Sequence, residues 1–135
     1  MKNRLILLTL VILAVIFACK KEESARFRLL TGPVWTTVSL LADGVDAGGP
    51  GGFLAKFKGD AKFNKDGTGY FGAYKGTWMF SGDEKQIVIS SDSLVIPIIT
   101  DIAELTSSSL KVTADVPNPL NLFEPINIQL TFKPK

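Results

Sequence analysis

Residues 110–116 and 126–132 alternate apolar and polar side chains almost without a break. Leu110, Val112, Ala114 and Val116 stand against Lys111, Thr113 and Asp115, and Ile126, Ile128, Leu130 and Phe132 against Asn127, Gln129 and Thr131. A period of two places successive side chains on opposite faces of an extended chain, so each segment reads as a strand with one dry and one wet face. This periodicity commits the chain to sheet, and its antiparallel form follows from turn signals close enough to join neighbours as hairpins.

The same reading extends upstream. Residues 34–41, rich in branched and aromatic side chains, form a first strand. Phe53, Ala55 and Phe57 alternate with Leu54, Lys56 and Lys58 as another, and Gly59-Asp60 is either a two-residue turn or a bulge leading into residues 61–64. Lys65-Asp66-Gly67 supplies a hairpin turn, since Asp-Gly readily takes positive φ, and residues 68–71 return from it. Residues 76–80 and 85–90 make a further hairpin. Leu94-Val95-Ile96-Pro97-Ile98-Ile99 is apolar on both parities, as in a well-covered strand that Pro97 turns into an edge, bulge or bend. Residues 101–105 are one helical turn or a continuation of that strand. Residues 24–30 bridge into the body as an irregular strand, Arg26 and Arg28 alternating with Phe27 and Leu29, and no amphipathic helix is read anywhere in the body.

Two segments resist regular structure. Residues 43–52, crowded with glycine around Pro50, form a surface loop. Residues 117–125, broken by three prolines, carry Leu120, Leu122 and Phe123, which either fold back as a plug or form a contact patch. The whole is all-β, with eight or nine short strands in an antiparallel barrel or sandwich.

The N-terminus is of another kind. Lys2 and Arg4 precede one apolar run, residues 5–18. It is shorter than the about 20 residues of a spanning helix and fits the apolar region of a secretion signal. Of 15 basic residues these two belong to the leader, which leaves 13 against 13 acidic ones in the body. A neutral body with scattered lysines excludes nucleic acid as a partner.

At the junction stands the chain's single cysteine. Ile16-Phe17-Ala18-Cys19 resembles the lipobox of bacterial lipoproteins, whereas Ile16 is too large for ordinary signal peptidase. The resemblance implies diacylglycerol on the Cys19 sulfur, cleavage before it, and acylation of the new amine. Two or three acyl chains anchor a protein durably, at about 0.8 kcal/mol per buried methylene. Lys21, Glu22 and Glu23 resemble the export signal of Bacteroidetes lipoproteins, which implies an outer-membrane location and display on the cell surface.

Leu29-Leu30-Thr31-Gly32-Pro33-Val34-Trp35, Phe63-Asn64-Lys65-Asp66-Gly67-Thr68, Gly76-Thr77-Trp78 and Ile102-Ala103-Glu104-Leu105-Thr106 resemble the lipocalin-like domains of such lipoproteins. That family implies an up-and-down barrel of about eight strands. The expected organisation is a cleaved signal peptide (residues 1–18), a lipidated N-terminus and tether (19–30) and the lipocalin-like barrel (31–135).

Chemistry is constrained by what is missing. There is no histidine, and the one thiol is assigned to acylation, which removes Ser-His triads, cysteine nucleophiles and nearly every transition-metal site. Asp43 with Asp46 and Asp83 with Glu84 read as solvated acids in turns. Gly67-Thr68-Gly69-Tyr70-Phe71-Gly72 matches a dinucleotide-binding pattern, but strand residues follow where a helix is required. No catalytic residue, metal ligand or cofactor is assigned. Two functions stay open: a small apolar ligand in the barrel's interior or mouth, lined by Trp35, Phe63, Tyr70 and Trp78, or an interaction module that binds or inhibits an envelope or extracellular protein.

Overall fold

The computed structural model describes residues 23–135. Cys19, Lys21 and Glu22 lie outside the described residues, as does the leader. Nine strands alternate with short connections: β1 (Trp35–Ala42), β2 (Val45–Asp46), β3 (Asp60–Phe63), β4 (Thr68–Phe71), β5 (Tyr74–Phe80), β6 (Gln86–Ser91), β7 (Ile98–Leu105), β8 (Leu110–Val116) and β9 (Ile126–Pro134). From β3 to β9 each strand pairs antiparallel with the next, β9 returns to β1, and β1 meets β3, which closes an eight-stranded barrel. The two-residue β2 is a flap on β1, joined by Asp43-Gly44 with both φ angles positive. It is the one regular element inside the segment expected to have none.

Alternation builds the core as the sequence implies. Ile87 and Ile89, Leu110, Val112 and Ala114, and Ile128, Leu130 and Phe132 are all buried. Two bulges correct the parity where a single period would fail. The register of β1 against β9 shifts between Thr37 and Ser39, so that Trp35 and Leu40 both face inward, and β7 shifts against β8 between Ile102 and Glu104.

Gly69 on β4 and Gly76 on β5 are paired across the strands. A Cβ on Gly69 would stand 2.4 Å from the Lys62 carbonyl oxygen, and one on Gly76 only 1.9 Å from that of Ser90. Neighbouring backbone occupies the volume a side chain would need. The glycines of the dinucleotide-like pattern therefore belong to two hairpin turns, Gly67 and Gly72 with positive φ, and to a close backbone approach at Gly69.

Three expectations are corrected. Residues 25–31 are helical, not extended: α1 (Ala25–Thr31) begins at Ser24, whose Oγ accepts from the Phe27 amide at 3.0 Å. Leu30 is fully buried, and Trp35 Nε1 donates to the Leu30 carbonyl at 3.0 Å. At its C-terminus, Lys62 Nζ donates to the carbonyls of Thr31, Gly32 and Pro33 at 2.5, 3.1 and 3.3 Å, meeting the partial negative charge of the helix end. Among the described residues, α1 and its Ser24 cap thus pack on the barrel although they fall in the stretch read as tether.

Residues 53–58 hold a 3-10 turn (Ala55–Phe57) in place of an alternating strand. Their backbone bonds to loops and turns and not to a strand ladder: Leu54 N to Ala47 O at 2.9 Å, Phe57 N to Leu54 O at 2.9 Å, and Ala73 N, between β4 and β5, to Lys56 O at 2.8 Å. The buried pair is Leu54 and Phe57, three residues apart. Residues 94–97 are a loop and not a covered strand, with Val95 102% and Ile96 52% exposed; β7 starts only after Pro97, which has no amide to give a ladder. Residues 101–105 continue β7.

Replacing Gly76 with alanine is expected to destabilise the domain by about 2 kcal/mol or more, since backbone must move to admit the methyl. Urea unfolding followed by tryptophan fluorescence measures this. The same change at Gly82, where a Cβ meets nothing within 4 Å, serves as the neutral control.

Candidate functional site

The two ends of the barrel differ. At one, α1 lies across the opening beside an aromatic cluster centred on Trp78, whose ring stands 5.8 Å from Phe27, 5.6 Å edge-on from Phe63 and 5.3 Å edge-on from Phe80. Trp78 Nε1 donates to the Asn64 carbonyl at 2.9 Å, so both tryptophans have their polar atom satisfied. Trp35, Phe63 and Trp78 are thus brought together at the closed end, as packing. Tyr70, half-buried on β4 next to inward Phe71, points to the outer face.

The interior offers little room. A single apolar void of ≈ 20 Å³ lies among Phe57, Phe63, Phe71, Ile89, Val112 and Leu130, with Thr100 the one polar neighbour. Its hydroxyl is engaged with the Ile87 carbonyl at 2.9 Å. Such a space holds about one water and no organic ligand. Of the two places expected to take a ligand, interior and mouth, the void leaves the mouth as the one with room.

The opposite end is open. A cleft of ≈ 600 Å³ sits among the loops that emerge there, walled by Phe53, Tyr74, Leu94, Ile96, Val116 and Pro117. This is the size of a small-molecule pocket, and its walls are mostly hydrophobic. Phe57, Ile98 and Ile128 line both the cleft and the inner void, and so form a floor one side chain thick. The mouth residues were missed by a reading that sought aromatics on strands. The available signal was an apolar run on both parities beside Pro97, and Phe53-Leu54 just after a glycine cluster: apolar side chains with no strand face to bury them.

Charged groups sit on the outside. Lys135 Nζ bonds Asp60 Oδ2 at 2.7 Å across the ends of β9 and β3, and this hydrogen bond is the first cause that lowers the Asp60 carboxyl and raises Lys135. Asp66 and Asp83 are lowered chiefly by the hydroxyls of Thr68 and Ser81, inside their own turns. None of the four borders the cleft. Among the described residues no group of three or more acidic, histidine or cysteine side chains is placed to hold a metal.

In comparison with known proteins, no family model matches the chain, and no curated sequence matches it significantly.

Two outcomes follow from this geometry. Phe57→Ala removes the floor, merging void and cleft, and is expected to cost about 3 kcal/mol or more in urea unfolding. The Asp60–Lys135 pair stabilises the fold between its two titrations. A depressed carboxyl contributes fully above its unfolded pKa and loses that contribution as pH falls through the folded value, while raised Lys135 loses its own as pH climbs through its folded value. The melting-temperature gap between wild type and Lys135→Ala is therefore expected at pH 6 and should narrow as pH falls below the ordinary aspartate range. Thermal melts monitored by circular dichroism check it.

Proposed function

We propose that the protein is a lipid-anchored, non-catalytic lipoprotein of the outer membrane, displayed on the surface of a Bacteroidetes-type cell, whose lipocalin-like barrel takes a small hydrophobic ligand at its mouth. The observation that carries the ligand reading is the ≈ 600 Å³ apolar cleft at the open end, above an interior that its own side chains fill.

Anchoring gives the cleft a direction. Four residue steps separate Cys19 from Glu23, a reach of at most about 14 Å. Glu23 sits against the closed end, its carboxylate 3.2 Å from Lys65 Nζ and its carbonyl 2.8 Å from Arg28. A barrel of strands this long stands roughly 20 Å tall. With acyl chains on Cys19 the α1 end faces the membrane, and the mouth opens away from it.

A soluble form beginning at Lys20 is expected to bind a fluorescent apolar probe such as N-phenyl-1-naphthylamine saturably. Phe53→Ser and Ile96→Ser should each weaken it about tenfold, corresponding to about 1.4 kcal/mol of lost apolar contact, and Trp78→Phe at the closed end should not. Non-saturable binding, or equal loss at both ends, would refute the site. For the anchor, cells fed an alkyne fatty acid should label the wild-type protein and not Cys19→Ser.

A further inference from the structure

We infer that the loops joining β6 to β7 and β8 to β9 form a docking surface for another protein, one that presents an apolar patch inside a basic rim. Val95, Ile96, Ile99, Leu120, Leu122 and Phe123 are all exposed there, with Leu120 and Phe123 at 95% and 96%. The two loops are neighbours at one end of the barrel, because β7 pairs with β8 and the chain leaves both strands beside the mouth. Apart from these side chains and the cleft-lining Phe53, the large apolar residues left exposed among the described residues are Val38, Val45 and Met79, one each on β1, β2 and β5. Single exposed hydrophobes are ordinary; a cluster marks a contact site.

The β8–β9 loop is held in shape while it displays these side chains. Asn118 Oδ1 accepts from the Leu120 amide at 2.9 Å, and Asn121 Oδ1 from the Phe123 amide at 3.1 Å, two successive side-chain turns of the same kind. Pro117, Pro119 and Pro125 stiffen the loop further. A surface ordered before contact loses little entropy on binding, which suits a protein interface.

Charge selects the partner. On the two loops and the strand ends that carry them the charged groups are Asp92, Asp115 and Glu124, and the base beside them is Lys75, which shares a hollow with Asp92. Neither loop contains lysine or arginine. Apolar loops that enter anionic bilayers carry basic neighbours, and these carry Asp92, Asp115 and Glu124 instead. A second copy joined through a two-fold axis would set the same acids against each other. A basic rim around an apolar centre satisfies both features.

Short peptides that alternate leucine with lysine, and the same peptides with glutamate for lysine, provide the probe. They are titrated against the full chain in nanodiscs of zwitterionic lipid, with empty nanodiscs subtracted. The lysine peptide is expected to bind at least ~10-fold tighter, with the gap narrowing as salt rises from about 0.05 to 0.5 M. Leu120→Ser/Leu122→Ser/Phe123→Ser should abolish binding of both, with the circular-dichroism spectrum unchanged, and Met79→Ser should have no effect. Asp92→Lys/Glu124→Lys should reverse the preference. Equal affinity for the two peptides overturns the inference. So does a photo-crosslinker at Leu122 that captures nanodisc lipid or a second copy of the chain. The inference rests on the proposed anchoring only for the direction the surface faces; the peptide preference is the same whether or not Cys19 is acylated, so failure of the anchor and failure of the surface are separate results.

Discussion

An eight-stranded barrel encloses a space just wide enough for its own side chains, and that limit governs everything else in this molecule. The inward side chains of the strands leave a void of ≈ 20 Å³. With the interior filled by its own side chains, the room for any ligand is at an end or on an outer face. One end is occupied: α1 lies over it, Leu30 fills it, and Trp35 and Trp78 are tied to backbone carbonyls beneath the helix. The asymmetry of the barrel follows from this single helix.

Closure itself depends on a short seam. β1 pairs along its length with β9, but with β3 only through Trp35–Ala61 and Thr36–Asp60. Side chains supply what the ladder lacks. Thr37 Oγ1 accepts from the Gly59 amide at 3.0 Å, Lys135 reaches Asp60, and Lys62 on β3 holds the carbonyls that lead from α1 into β1. The bulge near Val38 has a related origin. Without it Leu40 would face water and leave a gap in the core opposite Leu130, with which it pairs. Helix, seam and core are one construction, joined by residues 30–40.

The sheet was legible in the sequence where a strand has one wet face, because burial then writes a period of two into the residues. β8, β9 and the β3–β4 and β5–β6 hairpins were read nearly to the residue. The reading failed where tertiary contacts decide. Arg26, Phe27, Arg28 and Leu29 alternate as a strand would, but the Ser24 cap and the open barrel end below them favour one short helix. Phe53 to Lys58 alternate equally well, but their backbone partners lie in the glycine-rich loop, in the β4–β5 turn and in the segment itself, which leaves a 3-10 turn as the outcome. At the mouth the failure was of another kind. Residues 94–99 are apolar on both parities, which sequence reasoning equates with cover on both faces, and here the side chains instead wall an open cleft. Trp35, Phe63 and Trp78 were recognised as a group, but large aromatics close a barrel end as readily as they line a pocket, and only volume separates the two.

The exposed loops change what such a cleft implies. Leaving Leu120, Leu122 and Phe123 in water forgoes about 1.5 to 3 kcal/mol of burial for each side chain, in a domain whose whole stability is of the order of 10 kcal/mol. Two asparagine turns and three prolines hold the β8–β9 loop outward. If the lost burial is regained, it is regained on contact, and the acids beside the loops favour basic partners over acidic ones. On the proposed anchoring the same loops are the part of the molecule farthest from the membrane, where diffusing molecules arrive first. Apolar cleft, ordered apolar loops and acidic side chains then lie on one face, the face that the proposed anchoring would turn outward.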